Sequence, residues 1–121
     1  MVFEGRARDH HEGRSVASLA YEAYVPMAEK ELELLRQQAL ERFGLLDCAI
    51  HHRVGPVPVT EAAVLVATSS AHRAEAFKAA AWIMDEIKAK VPIWKREAYT
   101  DGTEAWVECH HRHTRWDANL S

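Results

Sequence analysis

The chain has 121 residues, is 48% hydrophobic and 27% charged, and carries a formal net charge of −3 with its eight histidines neutral. That length suits one domain, and the mild acidity gives no general case for nucleic-acid binding, although it leaves room for a local basic pocket. The longest apolar runs, such as 62–67 and 79–84, are far too short to span a bilayer, and Glu4 and Arg6 stand where a signal peptide needs an apolar core.

A cytosolic protein is therefore expected. Its two cysteines, Cys48 and Cys109, read as free thiols in a reducing compartment rather than as a disulfide.

In chain order, residues 1–7 predict a short strand, and Arg8 to Arg14 a polar loop. Residues 18–24 alternate, with Leu19, Tyr21 and Ala23 on one face of a strand. Pro26 suits the first turn of a helix. Ala28, Leu32, Leu35 and Ala39 then share one helical face, and Gly44 suits the C-terminal cap. A strand over 47–54 follows, with Cys48, Ile50, His52 and Val54 on one side. Gly55-Pro56-Val57-Pro58 breaks the chain before a buried-looking strand over 62–68.

Ser69 or Ser70 is placed to cap a second helix running to about Lys90, with Ala76, Ala80, Ile83 and Ile87 inward. Pro92 disfavours helix at Val91, so the helix ends there. Residues 93–99 and 103–108 flank Asp101-Gly102, a hairpin signal. From Cys109 the chain is a polar tail without a periodic apolar face. The order of elements predicts an α+β domain over 1–108, with two main helices, a mainly antiparallel sheet, and a tail over 109–121.

The informative stretch is Glu86 to Tyr99. Lys88 falls in the last helical turn and Lys95 on the strand beyond Pro92, so two ammonium groups are offered near one corner. Alone, that pattern more often marks cations that offset a helix dipole, followed by an amphipathic strand. With Arg6, Arg8, His72, Arg73 and Arg96 they form a basic set suited to a polyanion or to developing negative charge. His72 and Lys88 are separated by about 24 Å along a continuous helix, so one small substrate cannot touch both from one chain. Either they serve different sites, or His72 and Arg73 complete a pocket whose lysines come from a second subunit, which is the favoured reading.

Pro92-Ile93-Trp94-Lys95-Arg96-Glu97 resembles the most recognisable block of the large subunit of molybdopterin synthase, the MoaE family. Arg8-Asp9-His10, Tyr21-Glu22-Ala23-Tyr24 with Met27-Ala28, His52-Arg53-Val54-Gly55, and Ser70-Ala71-His72-Arg73 with Ala76-Phe77 resemble further blocks in family order. The resemblance implies an α/β-hammerhead fold. It also implies conversion of precursor Z, a cyclic pyranopterin monophosphate, into molybdopterin by transfer of two sulfurs. The sulfurs arrive as a thiocarboxylate on the C-terminal Gly-Gly tail of a small ubiquitin-like partner, MoaD.

By the same resemblance, Lys88 is the first choice for the catalytic group and Lys95 its partner. Arg6, Ala7, Arg8, His72, Arg73, Arg96 and Glu97 bind or orient the substrate. Arg6 stands where the family carries a smaller residue. The implied assembly is a homodimer with two MoaD partners, a heterotetramer with no cofactor of its own. The family's further N-terminal strand and loop have no counterpart before residue 1, which is expected to leave a sheet edge or pocket wall incomplete.

Two rival readings remain on sequence alone. One is a truncated, non-catalytic relative that only binds MoaD or dimerises. The other is a small metal-binding protein using Cys109-His110-His111-Arg112-His113, whose spacing matches no common zinc arrangement. The pairs His10-His11 and His51-His52 read as structural or surface residues. No glycine-rich phosphate loop is present, and no Ser-His-Asp or Cys-His assignment follows from residue order.

Overall fold

The computed structural model describes residues 1–7, 9–11 and 13–108. Eight strands and two helices follow one another as β1 (Val2–Arg6), β2 (His10–His11), β3 (Arg14–Ala23), α1 (Val25–Phe43), β4 (Asp47–His52), β5 (Gly55–Val57), β6 (Ala62–Ser69), α2 (Arg73–Lys90), β7 (Ile93–Tyr99) and β8 (Glu104–Glu108). All strand pairings are antiparallel, so the architecture is α+β.

Two sheets form. The first has the order β1-β6-β4, and its central strand is the Val- and Ala-rich β6. The second runs β2-β3-β7-β8, with β5 also on β3. Two short strands differ from the sequence reading, and β3 starts earlier than expected, at Arg14. His10–His11, expected within a loop, pairs with Ser15 and Arg14 of β3. Gly55–Val57, expected only to break the chain, pairs with Tyr21 to Leu19 of β3. β2 is held by a tight local hairpin with the start of β3, and β5 by a β3 segment distant in sequence. At two and three residues, neither is long enough to show the alternation that marks a strand.

The helices follow their patterns. In α1, Ala28, Leu35 and Ala39 are buried, and the helix ends at Gly44, whose φ of 61° is left-handed and favours glycine. In α2, Ala76, Ala79, Ala80, Ile83 and Ile87 are buried, and Val91 caps the helix in an extended conformation before Pro92. The N-cap is His72, not Ser69 or Ser70, and no side chain caps the helix there. The Ser70 hydroxyl instead donates to the His72 carbonyl, which locks the entry turn from outside.

The buried residues fall into two clusters. One joins α1 and α2 to the first sheet through Leu35, Ala39, Cys48, Val66, Ile83, Ile87 and Val91, and reaches Ile93 on β7. The other groups Ala7, Val16, Leu19, Val57, Ala63 and Tyr99. At about 25 cal/mol per Å² of apolar surface removed from water, such clusters supply the main drive to fold. Strand β7 runs from the first cluster, at Ile93, to the second, at Tyr99, and the candidate site lies along it. No helix among the described residues is long and apolar enough to cross a membrane.

Candidate active site

A strand sends alternate side chains to opposite faces. Ile93, Lys95, Glu97 and Tyr99 therefore share one face of β7, and Trp94, Arg96 and Ala98 the other. Ile93 and Tyr99 are core residues, 3% and 6% exposed, so the face with Lys95 and Glu97 is the inward one. Directly across on β3, Ala23, Tyr21 and Leu19 stand opposite Ile93, Lys95 and Glu97. An irregularity between Val16 and Ser18 then brings Val16 opposite Tyr99. Two charged residues thus sit on an apolar face, at the seam between the two clusters.

Isolated charges there would be expensive to desolvate. Their geometry shows the compensation. Glu97 is 2% exposed. The Tyr99 hydroxyl donates to Glu97 Oε1 at 3.0 Å. Lys95 Nζ lies 3.6 Å from Glu97 Oε2, an ion pair longer than an ordinary hydrogen bond. The Lys95 side chain retains 18% exposure. One carboxylate is thereby bound from both sides, and the ammonium of Lys95 is held against it with one flank toward solvent. Such an ammonium is preorganised to meet an anion or to exchange a proton.

Lys88 occupies the last turn of α2 and is half-buried. The corner Val91–Pro92 separates it from β7, so Lys88 and Lys95 flank one turn of chain as the sequence suggested. Arg6 ends β1, exposed, with Nη1 donating to the Thr60 carbonyl at 2.9 Å and Nη2 to Glu4 Oε2 at 2.8 Å. Ala7 is 5% exposed and belongs to the cluster that contains Tyr99. Its backbone is fixed by N–H donation to the Glu61 carbonyl and by acceptance from Thr60 N–H. Ala7 is therefore a fixed part of that core cluster. Arg8 lies outside the described residues.

The remaining candidates stand elsewhere on the chain. Arg96 points to the opposite face of β7 from Lys95. Its guanidinium lies 5.9 Å from the centre of the Trp106 ring, across the ladder on β8, and 3.8 Å from Glu104 Oε2. His72 and Arg73 are exposed at the N-terminal end of α2, the end remote from Lys88. A groove between α1 and α2, lined by Gln38, Glu41, Arg42, Trp82, Glu86 and Lys90, contains none of the candidates.

Sequence reasoning gave no site role to Tyr99 or to Tyr21. Both were findable by stepping in twos along β7 from Lys95 and across to β3, once the strand pairing is known. It also treated His52 as bland. The His52 ring stands edge-on to Tyr21, with centroids 4.9 Å apart, and its Nδ1–H donates to the Arg53 carbonyl at 2.8 Å. Burial lowers its pKa below the ordinary 6.5, and that backbone hydrogen bond partly opposes the shift. Cys48 is buried at 4% exposure and free, and desolvation raises its thiol pKa, so it is a core residue with little thiolate at neutral pH. Among the described residues no group of three or more His, Cys, Asp and Glu side chains is arranged to hold a metal ion. The histidine tail and Cys109 lie outside the described residues.

Comparison with known proteins bears directly on this geometry. The family model described as MoaE protein matches residues 1–90. A protein of Pyrococcus abyssi named molybdopterin synthase catalytic subunit is 51% identical over 108 residues, covering 89% of this chain and 72% of its own length. A Bos taurus protein of the same name is 45% identical over 105 residues, covering 87% of this chain and 56% of its own. The chain thus spans little more than half the length of that mammalian relative. Among solved structures, the molybdopterin synthase of Staphylococcus aureus superposes with a TM-score of 0.82 at 41% identity, covering 88% of this chain and 77% of the other.

Proposed function

The chain belongs to the MoaE family, and from that premise we propose that it is the catalytic subunit of a molybdopterin synthase. Its substrate is precursor Z, and its product is molybdopterin with a newly formed dithiolene. The sulfurs come from a MoaD-type carrier whose C-terminal Gly-Gly ends as a thiocarboxylate. The reaction is set in the cytoplasm, where a thiol such as Cys48 stays reduced.

The observation that carries this reading is the Lys95–Glu97–Tyr99 arrangement on the inward face of β7. A lysine held beside a buried carboxylate is suited to two tasks this chemistry sets. One is receipt of an anionic thiocarboxylate tail. The other is proton delivery as side-chain oxygens leave and the cyclic phosphate opens. Lys88, across the Val91–Pro92 corner, is the principal acid-base group, and Lys95 its partner. Glu97 holds Lys95 in place. Arg6 and Arg8 serve the phosphate, and the Ala7 backbone supports that segment.

His72 and Arg73 reach the substrate from the second subunit of a homodimer. Lys88 and His72 end the same helix, so a single chain cannot bring them to one small molecule. Two MoaD carriers complete a heterotetramer. Arg96, on the outer face of β7, lines the route of the carrier tail rather than the reacting atoms.

A single-turnover assay tests the reading. The purified chain is mixed with thiocarboxylated MoaD and precursor Z, and molybdopterin is detected as its fluorescent oxidation product. Product formation supports the enzyme. Absence of product, with MoaD still bound on a sizing column, favours a binding-only relative.

A further inference from the structure

We infer that Tyr99 is a positioning residue for the reaction, acting on Lys95 through Glu97. The inference rests on the reading of Lys95 as a catalytic group and deepens it.

Three observations lead to it. First, Lys95, Glu97 and Tyr99 fall at alternate positions of one strand and therefore on one face, with the carboxylate in the middle. Second, the two oxygens of Glu97 are divided between its neighbours. Oε1 accepts the Tyr99 hydroxyl at 3.0 Å, and Oε2 faces Lys95 Nζ at 3.6 Å. Third, only the lysine end of the row reaches solvent. The Lys95 side chain is 18% exposed, whereas Glu97 and Tyr99 are 2% and 6% exposed. Tyr99 is anchored in the cluster of Val16, Leu19, Val57 and Ala63.

The chain of control runs from the packed ring to the solvent-facing amine. A tyrosine ring has two side-chain torsions, and packing fixes both. Its hydroxyl fixes the rotation of the Glu97 carboxyl group. That rotation decides where the second oxygen lies, and so where the flexible lysine rests. A lysine stem carries about 2 kcal/mol of rotamer entropy, and a directed carboxylate restricts it before substrate arrives. Without the hydroxyl the carboxylate keeps its charge and loses one of the contacts that orient it. Tyr99 touches no reacting atom in this scheme. It also belongs to the same cluster as Ala7, so the candidate phosphate segment and the candidate lysine are held by one block of core.

The test is a double-mutant cycle of Tyr99→Phe and Glu97→Gln, with Lys95→Ala alongside, all read by single-turnover sulfur transfer. Tyr99→Phe removes one oxygen and no ring volume. It is expected to slow the sulfur-transfer step about tenfold, the scale of one hydrogen bond to a charged group, and to leave the half-saturating concentration of precursor Z unchanged. In the Glu97→Gln background the same change is expected to have no further effect, because the path to Lys95 is already cut. A packing role for Tyr99 would instead persist in that background, would appear as a lower melting temperature, and would overturn the inference.

Wild-type rates in Tyr99→Phe, with activity lost in Lys95→Ala, overturn the positioning role and leave the function intact. Wild-type rates in Lys95→Ala overturn both. A crystal structure of Tyr99→Phe supplies a readout apart from activity. The inference expects the Glu97 carboxyl to be rotated, and an unmoved carboxyl contradicts it.

Discussion

His72 forms the N-terminal boundary of α2, and Lys88 sits in the last turn of the same helix. A straight α-helix of that span sets them about 24 Å apart along its axis. No bend brings them together, because the helix is continuous from Arg73 to Lys90. If both serve one substrate, two chains must supply them.

Subunit complementation follows from this separation. His72→Ala and Lys88→Ala are each expected to be inactive in sulfur transfer. Unfolded together and refolded as a mixture, they are expected to regain about a quarter of wild-type activity. Random pairing makes half of the dimers mixed, and each mixed dimer has one intact site of two. No recovery, with mixed dimers demonstrated by mass spectrometry, would place both residues in one chain's site or in separate roles.

The two lysines are expected to differ in stability and agree in activity. Lys88→Ala loses a cation in the last turn of a helix, worth about 0.3–1 kcal/mol. Lys95→Ala withdraws a partner from a carboxylate that is 2% exposed, and costs about 1–3 kcal/mol. Both are expected to lower single-turnover sulfur transfer by at least about a hundredfold, the usual scale of a positioned acid-base group. Urea denaturation and the fluorescence assay on the same preparations separate these effects.

His52 gives stability a pH dependence. Its pKa is lowered in the folded state, by burial first, from 6.5. The unfolded chain therefore binds the proton more readily. The contribution of the neutral ring is fully present above pH 6.5 and is lost as pH falls below 6.5 through the folded value. Wild-type stability is expected to decline on acidification through this window, and His52→Gln to flatten that decline. Denaturant midpoints from pH 8 to pH 5 measure it. An unchanged slope in the variant would assign the acid sensitivity elsewhere.

Gly5 and Gly44 separate two reasons for glycine. A Cβ on Gly5 would stand 2.5 Å from Val64 Cγ1, across the β1–β6 ladder, where no real contact is that short. Gly5→Ala is expected to cost about 1–3 kcal/mol by overpacking. At Gly44 nothing lies within 4 Å of a Cβ, and the cost comes only from its left-handed φ of 61°. Gly44→Ala is expected to cost about 1 kcal/mol. Combining Gly5→Ala with Val64→Ala should recover part of the loss at the first site, and the same partner should do nothing for the second. Thermal melts of these four variants and of Val64→Ala alone decide it.

The sequence by itself determined the elements that depend on neighbours within a turn or two. Ala76, Ala80, Ile83 and Ile87 mark the buried face of α2, Pro92 ends it, Gly44 ends α1, and β7 occupies the expected 93–99. These are local effects of periodicity, missing N–H groups and left-handed φ, so they are visible in any short window of chain. Resemblance of whole blocks added the family and the candidate lysines.

Only the tertiary structure decided which face of β7 looks inward. Lys95 and Glu97 would ordinarily face water, and pairing with Tyr21 and Leu19 turns them toward the core instead. It also decided that Arg96 stacks near Trp106 of β8 and that Gly55–Val57 becomes a strand. Each of these is settled by contact between segments far apart in sequence. The free energy of such contacts depends on register and burial, and a linear reading carries neither.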